Sequence, residues 1–330
     1  MDFLVISAAR DRSAAGSGAR RLGARSFVAA FRFAVLVFAL AIAGCAGASS
    51  ARLKTENLFR DAGLGSSQTV SDYDALVFKS GGSEIYGQIL KPQGMPDGRR
   101  PCVLMFHGFA GFGRFDDVGQ ALCRAGCVVL IPHHRGAWGS GGDYTVSHCV
   151  GDAVNLIRHV RSPEFQAKYG IDPEAVFLVG HSMGGNTVLN SATEIPGVRG
   201  IVMLAPCDIG TMVRRMPKNE MRKFLVENGL EVLRTGGFEA VYRDLVGHAG
   251  RYAFPNAATK LRGVALLLIT GERDRCISNE LLEDFYRVAR ANVTLPICAR
   301  RSYPVEHGLM GARTRISCDI AEFILETLER

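Results

Sequence analysis

The chain has 330 residues, 47% of them hydrophobic, enough to bury a sizeable core and to suit one large α/β domain with an appendage. Its net charge of +7 is concentrated at the front, where residues 1–44 hold six arginines against Asp2 and Asp11, so the rest of the chain carries only about +3. With no basic stripe interleaved with aromatic residues, nucleic acid is excluded as a partner.

Behind those arginines, Phe33 to Ala43 is an unbroken apolar run that ends in Ile42-Ala43-Gly44-Cys45. A positive segment, an apolar stretch of about 7–15 residues and small residues at its end read as an export signal rather than part of the fold. The run is shorter than the roughly 20 residues that span a bilayer. Extended back to Phe27 it takes in Arg32, which leaves a signal anchor as the alternative. The ending resembles the lipobox of bacterial lipoproteins. That resemblance implies a signal peptide over residues 1–44, a lipidated Cys45, and an exported, membrane-associated protein of the cell envelope. Residues 45–72, rich in Ala, Ser, Gly and polar side chains, then read as a tether to a domain over 73–330. Beyond Cys45, eight cysteines are scattered through apolar segments without framework spacing and are expected to be small core residues. No Cys-x-x-Cys or His-x-x-x-His pair points to a metal, and no cofactor is expected.

Ala75-Leu76-Val77-Phe78, Gly81-Gly82 and Ile85 to Leu90 predict a hairpin at a sheet edge. Cys102 to Phe106 is a continuous apolar strand running into His107-Gly108-Phe109-Ala110-Gly111. A helix over Asp117 to Ala125 leads to the strand Val128–Ile131, followed by His133-His134-Arg135-Gly136 and further glycines. A helix over Ser147 to Val160 precedes the strand Val176–Val179. Then come the strands Gly200–Leu204 and Val264–Ile269, a helix from Asn279 to Ala291, a short strand from Ile297 to Ser302 and a closing helix from Ile316 to Leu328. Alternation of this kind predicts an α/β fold with a mostly parallel sheet of about eight strands flanked by helices. Sites in such sheets form at the carboxyl ends of the strands, where all the polar motifs of this chain fall. Asp208 to Lys260 is too long for a plain loop and contains helix-like runs at Asn219–Asn228 and Phe238–Val246, which predicts a helical cap inserted at about 208–260. Its arginines and lysines are expected to form a solvated helix face.

The motif that carries chemistry is Gly180-His181-Ser182-Met183-Gly184, placed between the apolar strand and a plausible helix. In such a turn the serine is held strained with its hydroxyl above the sheet, and Gly180 and Gly184 stand where a Cβ would collide with a neighbouring element. A serine hydroxyl at its ordinary pKa needs a base, itself oriented by a carboxylate. Asp274 in Thr270-Gly271-Glu272-Arg273-Asp274 follows a buried strand, and His307 in Glu306-His307-Gly308 follows the last short strand. Asp208, also just past a strand, is the rival acid. His107, His133 and His134 are expected to be structural loop residues and His248 a surface residue of the cap.

With the order Ser, Asp, His, residues 73–328 resemble the α/β-hydrolases of the esterase, lipase and prolyl-oligopeptidase-like kind. The resemblance implies Ser182 as nucleophile, Asp274 as acid and His307 as base, and an oxyanion hole from the backbone N–H groups of Met183 and Phe109. It implies hydrolysis of a small-molecule carboxylic ester through an acyl-enzyme. Hydrolysis of a short peptide or amide is the alternative, and a catalytically inactive binding member of the fold a third reading. Serine at the nucleophile position disfavours dehalogenase, epoxide-hydrolase and dienelactone-hydrolase chemistry.

Overall fold

The computed structural model describes residues 53–60, 71–92 and 98–330. The expected signal peptide, Cys45 and most of the expected tether lie outside the described residues.

Apolar runs make the centre of the sheet and a twisted hairpin makes one edge. In chain order the strands are β1 (Ser71–Ser80), β2 (Ser83–Pro92), β3 (Arg100–Phe106), β4 (Val128–Pro132), β5 (Ile171–His181), β6 (Gly200–Leu204), β7 (Ala265–Gly271) and β8 (Cys298–Tyr303). They lie in the order β1-β2-β4-β3-β5-β6-β7-β8. β1 pairs antiparallel with β2, and β2 with β4. Every other pairing is parallel. The β1–β2 turn places both Gly81 and Gly82 at positive φ, the geometry of the two-residue turns that match strand twist. The inner parallel strands β3, β4, β6 and β7 are buried on both faces, which is why they read as unbroken apolar runs and not as alternation, whereas the edge strand β8 is half-buried to exposed.

Alternate residues of each strand feed two cores. Leu104, Leu178, Ile201 and Leu268 point into one, together with α2 (Val146–Val160), α4 (Met183–Glu194) and α9 (Asn279–Arg290). Val103, Val179, Val202 and Ile269 point into the other, under α1 (Asp116–Ala125) and α10 (Arg313–Leu328). A further helix, α3 (Pro163–Tyr169), fills the connection before β5 with Pro at its first turn and Ser162 as its cap. Between β6 and β7 the inserted segment is helical: α5 (Ile209–Arg215), α6 (Lys218–Glu227), α7 (Phe238–Tyr252) and α8 (Phe254–Ala258). It is tied down at both ends of a loop, where Tyr144 N–H donates to the Arg234 carbonyl (2.7 Å) and Arg234 N–H to the Gly136 carbonyl (2.7 Å). Asp244 on α7 accepts from the backbone N–H of Ser147 at the start of α2 (3.0 Å).

Part of the expected tether is not free chain. Leu53 and Leu58 are buried in the core under α1, Lys54 N–H donates to the Ala125 carbonyl (2.8 Å), and the Arg124 guanidinium donates twice to the Leu58 carbonyl. Two leucines five residues apart make too short a pattern to be read as packing.

Candidate active site

The strained turn forms as its glycines require. Ser182 sits at φ 54°, ψ −116° between the end of β5 and the first residue of α4. A Cβ on Gly180 would overlap the carbonyl oxygen of Gly184, and one on Gly184 would overlap that of Phe106 in β3. The turn can therefore pack against β3 and α4 only with glycine at both positions. Its backbone is anchored on both sides: Ser182 N–H donates to the Leu204 carbonyl (2.9 Å), and the Ser182 carbonyl accepts from Gly185 and Cys207 (both 2.9 Å).

Asp274 and His307 arrive from two loops at the carboxyl ends of β7 and β8. These loops are held together by Glu272 N–H to the Tyr303 carbonyl (2.8 Å) and Arg273 N–H to the Val305 carbonyl (3.0 Å). His307 Nδ1 lies 2.7 Å from Asp274 Oδ2. The other carboxylate oxygen, Oδ1, accepts from the backbone N–H of Cys276 (2.8 Å) and Ile277 (2.9 Å). The Asp274 side chain is 1% exposed and that of His307 21%. Burial alone would raise the Asp274 pKa, but the His307 hydrogen bond and charge and the two backbone N–H groups outweigh it and hold the carboxyl below its ordinary value. Asp208, the rival, is occupied elsewhere: it caps α5, accepting from Thr211 N–H (2.9 Å) and Thr211 Oγ1 (2.8 Å).

Ser182, His307, Met183 and Phe109 line one cavity beneath the inserted helices. Met183 opens α4, so its N–H is among the helix-end donors with no intrahelical acceptor. Phe109 packs edge-on against Tyr144, ring centroids 5.6 Å apart. Gly108 is a tight neighbour of the serine, since a Cβ there would come 3.0 Å from the Ser182 Cβ. The loop after β3 is fixed by the histidines expected to be structural. His107 Nδ1 is 2.7 Å from the Gly108 carbonyl, and His134 Nε2 is 3.0 Å from the His107 carbonyl. Burial lowers both pKa values, that of His134 to about 4, so both rings are neutral. His133 faces Arg114 instead (3.3 Å). His248 is half-buried on α7, with Nδ1 2.9 Å from the Asp244 carbonyl one turn earlier. Five of the eight cysteines beyond Cys45 are buried, and none of the eight is in a disulfide.

Three further residues support the site without having been assigned a role from the sequence. His181, the residue before the serine, is half-buried, with its pKa lowered to about 3 by desolvation and by the neighbouring His307, and its Nε2 donates to the His307 carbonyl (2.9 Å). Trp138 donates from its indole to the Ala110 carbonyl (2.8 Å), bracing the loop that carries Phe109. Arg313 donates to the Gly308 carbonyl (2.9 Å) and stacks its guanidinium on Phe115, 3.4 Å from the ring centre. The signal for His181 was its place inside the pentapeptide; Trp138 and Arg313 carry none.

This strand order, with a serine turn after β5 and the other two polar loops after β7 and β8, identifies the architecture. The chain is an α/β-hydrolase by fold. Residues 97–228 match the family model described as serine aminopeptidase, S33, a span that includes Ser182 but neither Asp274 nor His307. Monoglyceride lipases from Rattus norvegicus and Homo sapiens are 31% and 30% identical over 128 residues, 38% of this chain. The chain spans about 40% of the length of those curated relatives. Among solved structures, this α/β-hydrolase is similar to Est1E from Butyrivibrio proteoclasticus, with a TM-score of 0.59 and 16% identity over 78% of this chain and 99% of that one. It is also similar to brefeldin A esterase, described as a bacterial homologue of human hormone sensitive lipase, with a TM-score of 0.60 and 19% identity over 82% and 81% of the two chains.

Proposed function

We propose that the protein is a serine hydrolase that cleaves a carboxylic ester through an acyl-enzyme, with Ser182 as nucleophile, His307 as base and Asp274 as the carboxylate that orients it. The observation that carries the reading is the 2.7 Å bond from Asp274 to His307 Nδ1, with His307 opening onto the same cavity as Ser182. With the ring proton on Nδ1 held by Asp274, Nε2 has a lone pair to take the hydroxyl proton as Ser182 Oγ attacks the carbonyl carbon. The carbonyl oxygen becomes an oxyanion stabilised by the N–H groups of Met183 and Phe109. On collapse, Nε2–H gives its proton to the departing alkoxide and the alcohol leaves. Water then repeats the sequence on the acyl-enzyme: His307 takes a proton from the water, the hydroxide adds to the acyl carbon, and the acid departs as Ser182 recovers its proton. Similarity to a monoglyceride lipase and to an esterase supports an ester over other acyl substrates.

The family description names an aminopeptidase, which must hold a substrate ammonium close to the nucleophile. Among the described residues no Asp or Glu lines the cavity that holds Ser182, and the carboxylates of the adjoining cavity, Asp208 and Glu220, lie outside it, which favours an ester over a peptide. Labelling by a fluorophosphonate and hydrolysis of p-nitrophenyl esters test the proposal, with both lost in Ser182→Ala. A wild type that is folded yet neither labelled nor active on any ester would return it to the inactive members of the fold.

For the segment outside the described residues, we propose export and lipidation at Cys45, supported by the apolar run that ends there. Cys45→Ser should move the protein from the membrane to the soluble fraction. A mutant that stays in the membrane with an N-terminus before residue 45 would refute lipidation.

A further inference from the structure

Two cavities meet at this site. The inner one, beside Ser182 and His307, measures about 90 Å³. The outer one, between α5, α6 and the start of α9, measures about 520 Å³ and opens widely to solvent. Cys207, Met212, Phe224, Cys276 and Ile277 line both and so form the partition between them.

Part of the inner cavity's wall is rigid. Tyr144, Leu225, Val241 and Leu245 are each no more than 2% exposed and belong to the core on the cap side of the sheet, so widening the cavity there means breaking core packing, while Met212 and Phe224 are half-buried and Asn228 and Cys276 exposed. An engineered core cavity of roughly 150 Å³ holds one benzene, so the smaller space here suits an acyl chain of about four carbons or fewer.

Chemistry assigns the outer cavity to the other half of the substrate. The acyl half keeps its carbonyl oxygen toward Met183 and Phe109, whereas the leaving oxygen must face His307, which returns the proton to it. Met183 and Phe109, like Ser182 and His307, border only the inner cavity. The outer cavity is bordered by Cys276 and Ile277, the residues whose N–H groups hold Asp274 in place behind His307. The Cys276 sulfur and the ligand atoms of Asp274 and His307 all lie within 4.8 Å of one another. The partition thus stands on the histidine side of the serine. Beyond it, Met216 and Leu281 are joined by two cations, Arg215 and Arg275, and two carboxylates, Asp208 and Glu220, a mixed lining that suits a ring-bearing alcohol with polar substituents.

Resting on the serine-esterase reading above, we propose that the substrate is an ester of a short acyl group with a bulky leaving alcohol, the acyl group in the inner cavity and the alcohol in the outer. This division is the reverse of a monoglyceride, in which the acyl chain is the larger half. The full-length protein should hydrolyse p-nitrophenyl butyrate with a kcat/KM at least about tenfold above the decanoate, and Leu225→Ala should narrow that gap by about tenfold. Leu281→Trp, a half-buried position on α9 that needs no core repacking, should lower kcat/KM for naphthyl butyrate relative to ethyl butyrate by about tenfold. A decanoate cleaved as fast as the butyrate, and slowed by Leu281→Trp, would place the acyl chain through the partition and overturn the assignment. An unchanged naphthyl-to-ethyl ratio in Leu281→Trp would overturn it as well. Loss of all ester hydrolysis and of Ser182-dependent fluorophosphonate labelling in the wild type would instead remove the hydrolase reading beneath it.

Discussion

Replacing Asp274 by Asn separates the orienting role of the carboxylate from its shape. In the native site Oδ2 accepts from His307 Nδ1, and Oδ1 accepts from two backbone N–H groups. If Asn keeps its oxygen on Cys276 and Ile277, its NH₂ group faces Nδ1, which must then accept. The ring proton moves to Nε2, the atom that has to take the proton from Ser182, and the base is lost. Rotating the amide restores the tautomer but turns the NH₂ donors against the two backbone N–H groups, leaving the donor of buried Ile277 unpaired at about 1–3 kcal/mol, with a smaller cost at exposed Cys276. Neither arrangement supplies the counter-charge for the imidazolium. The expected loss in kcat is up to about 10⁴-fold, or about 5.4 kcal/mol of transition-state stabilisation, by analogy with the serine-protease aspartate. Asp208→Asn is the matched control: Asn is as good an N-cap as Asp, so α5 and the activity should both be kept. Steady-state hydrolysis of p-nitrophenyl butyrate, with thermal melting of each variant, measures the difference. A folded Asp274→Asn enzyme within about tenfold of wild type, beside a crippled Asp208→Asn, would refute the assignment and the tautomer argument with it.

Ser182→Ala and His307→Ala should each cost on the order of 10⁶-fold in kcat, and the double variant little more, because nucleophile and base act as a unit; additive losses in the double variant would contradict this. Gly184→Ala should fail to reach the native fold or melt far lower, since its Cβ would overlap the Phe106 carbonyl oxygen, and a normal melting curve would refute the close approach. Arg135 Nε donates to Asp152 Oδ2 (3.2 Å) and Nη2 to the Ser80 carbonyl (3.0 Å), with the pair's side chains 10% and 5% exposed. Arg135→Met should therefore lose about 3–5 kcal/mol in urea unfolding, by leaving a buried carboxylate unpaired. Stability should also fall with acid: the unfolded chain protonates His181 near its ordinary pKa of 6.5, while the folded chain resists to about 3. Each such histidine adds a slope of up to about 1.4 kcal/mol per pH unit between those values. His181→Gln should flatten the dependence of the urea midpoint below pH 6.5, and an unchanged slope would show that His181 is protonated in the folded state.

The strands were legible because burial on both faces writes itself as a continuous apolar run, and the hairpin because Gly81-Gly82 supplies two positive-φ positions between such runs. The serine turn was legible for a related reason: two glycines at fixed offsets record a backbone that touches β3 and α4, and steric exclusion of Cβ leaves a local trace. What was not legible is held by partners far apart in sequence. Ser80, Arg135 and Asp152 form one buried polar cluster from three separate segments, none with a motif of its own. Leu53 and Leu58 were read as tether because a single turn of chain has too few apolar positions to show a period, yet the groove between α1 and α10 covers both. Asp208 and Asp274 looked alike because each follows an apolar strand. They part at the next few residues: Asp208 turns its carboxylate onto Thr211 and starts a helix, while Asp274 gives one oxygen to the turn and leaves the other for His307. The sequence carries the distinction only as a helix start immediately after Asp208 and its absence until Ser278 after Asp274. Both oxygens of Asp208 are engaged locally, by the N–H and the hydroxyl of Thr211, whereas only Oδ1 of Asp274 is, and that local competition decides between the two.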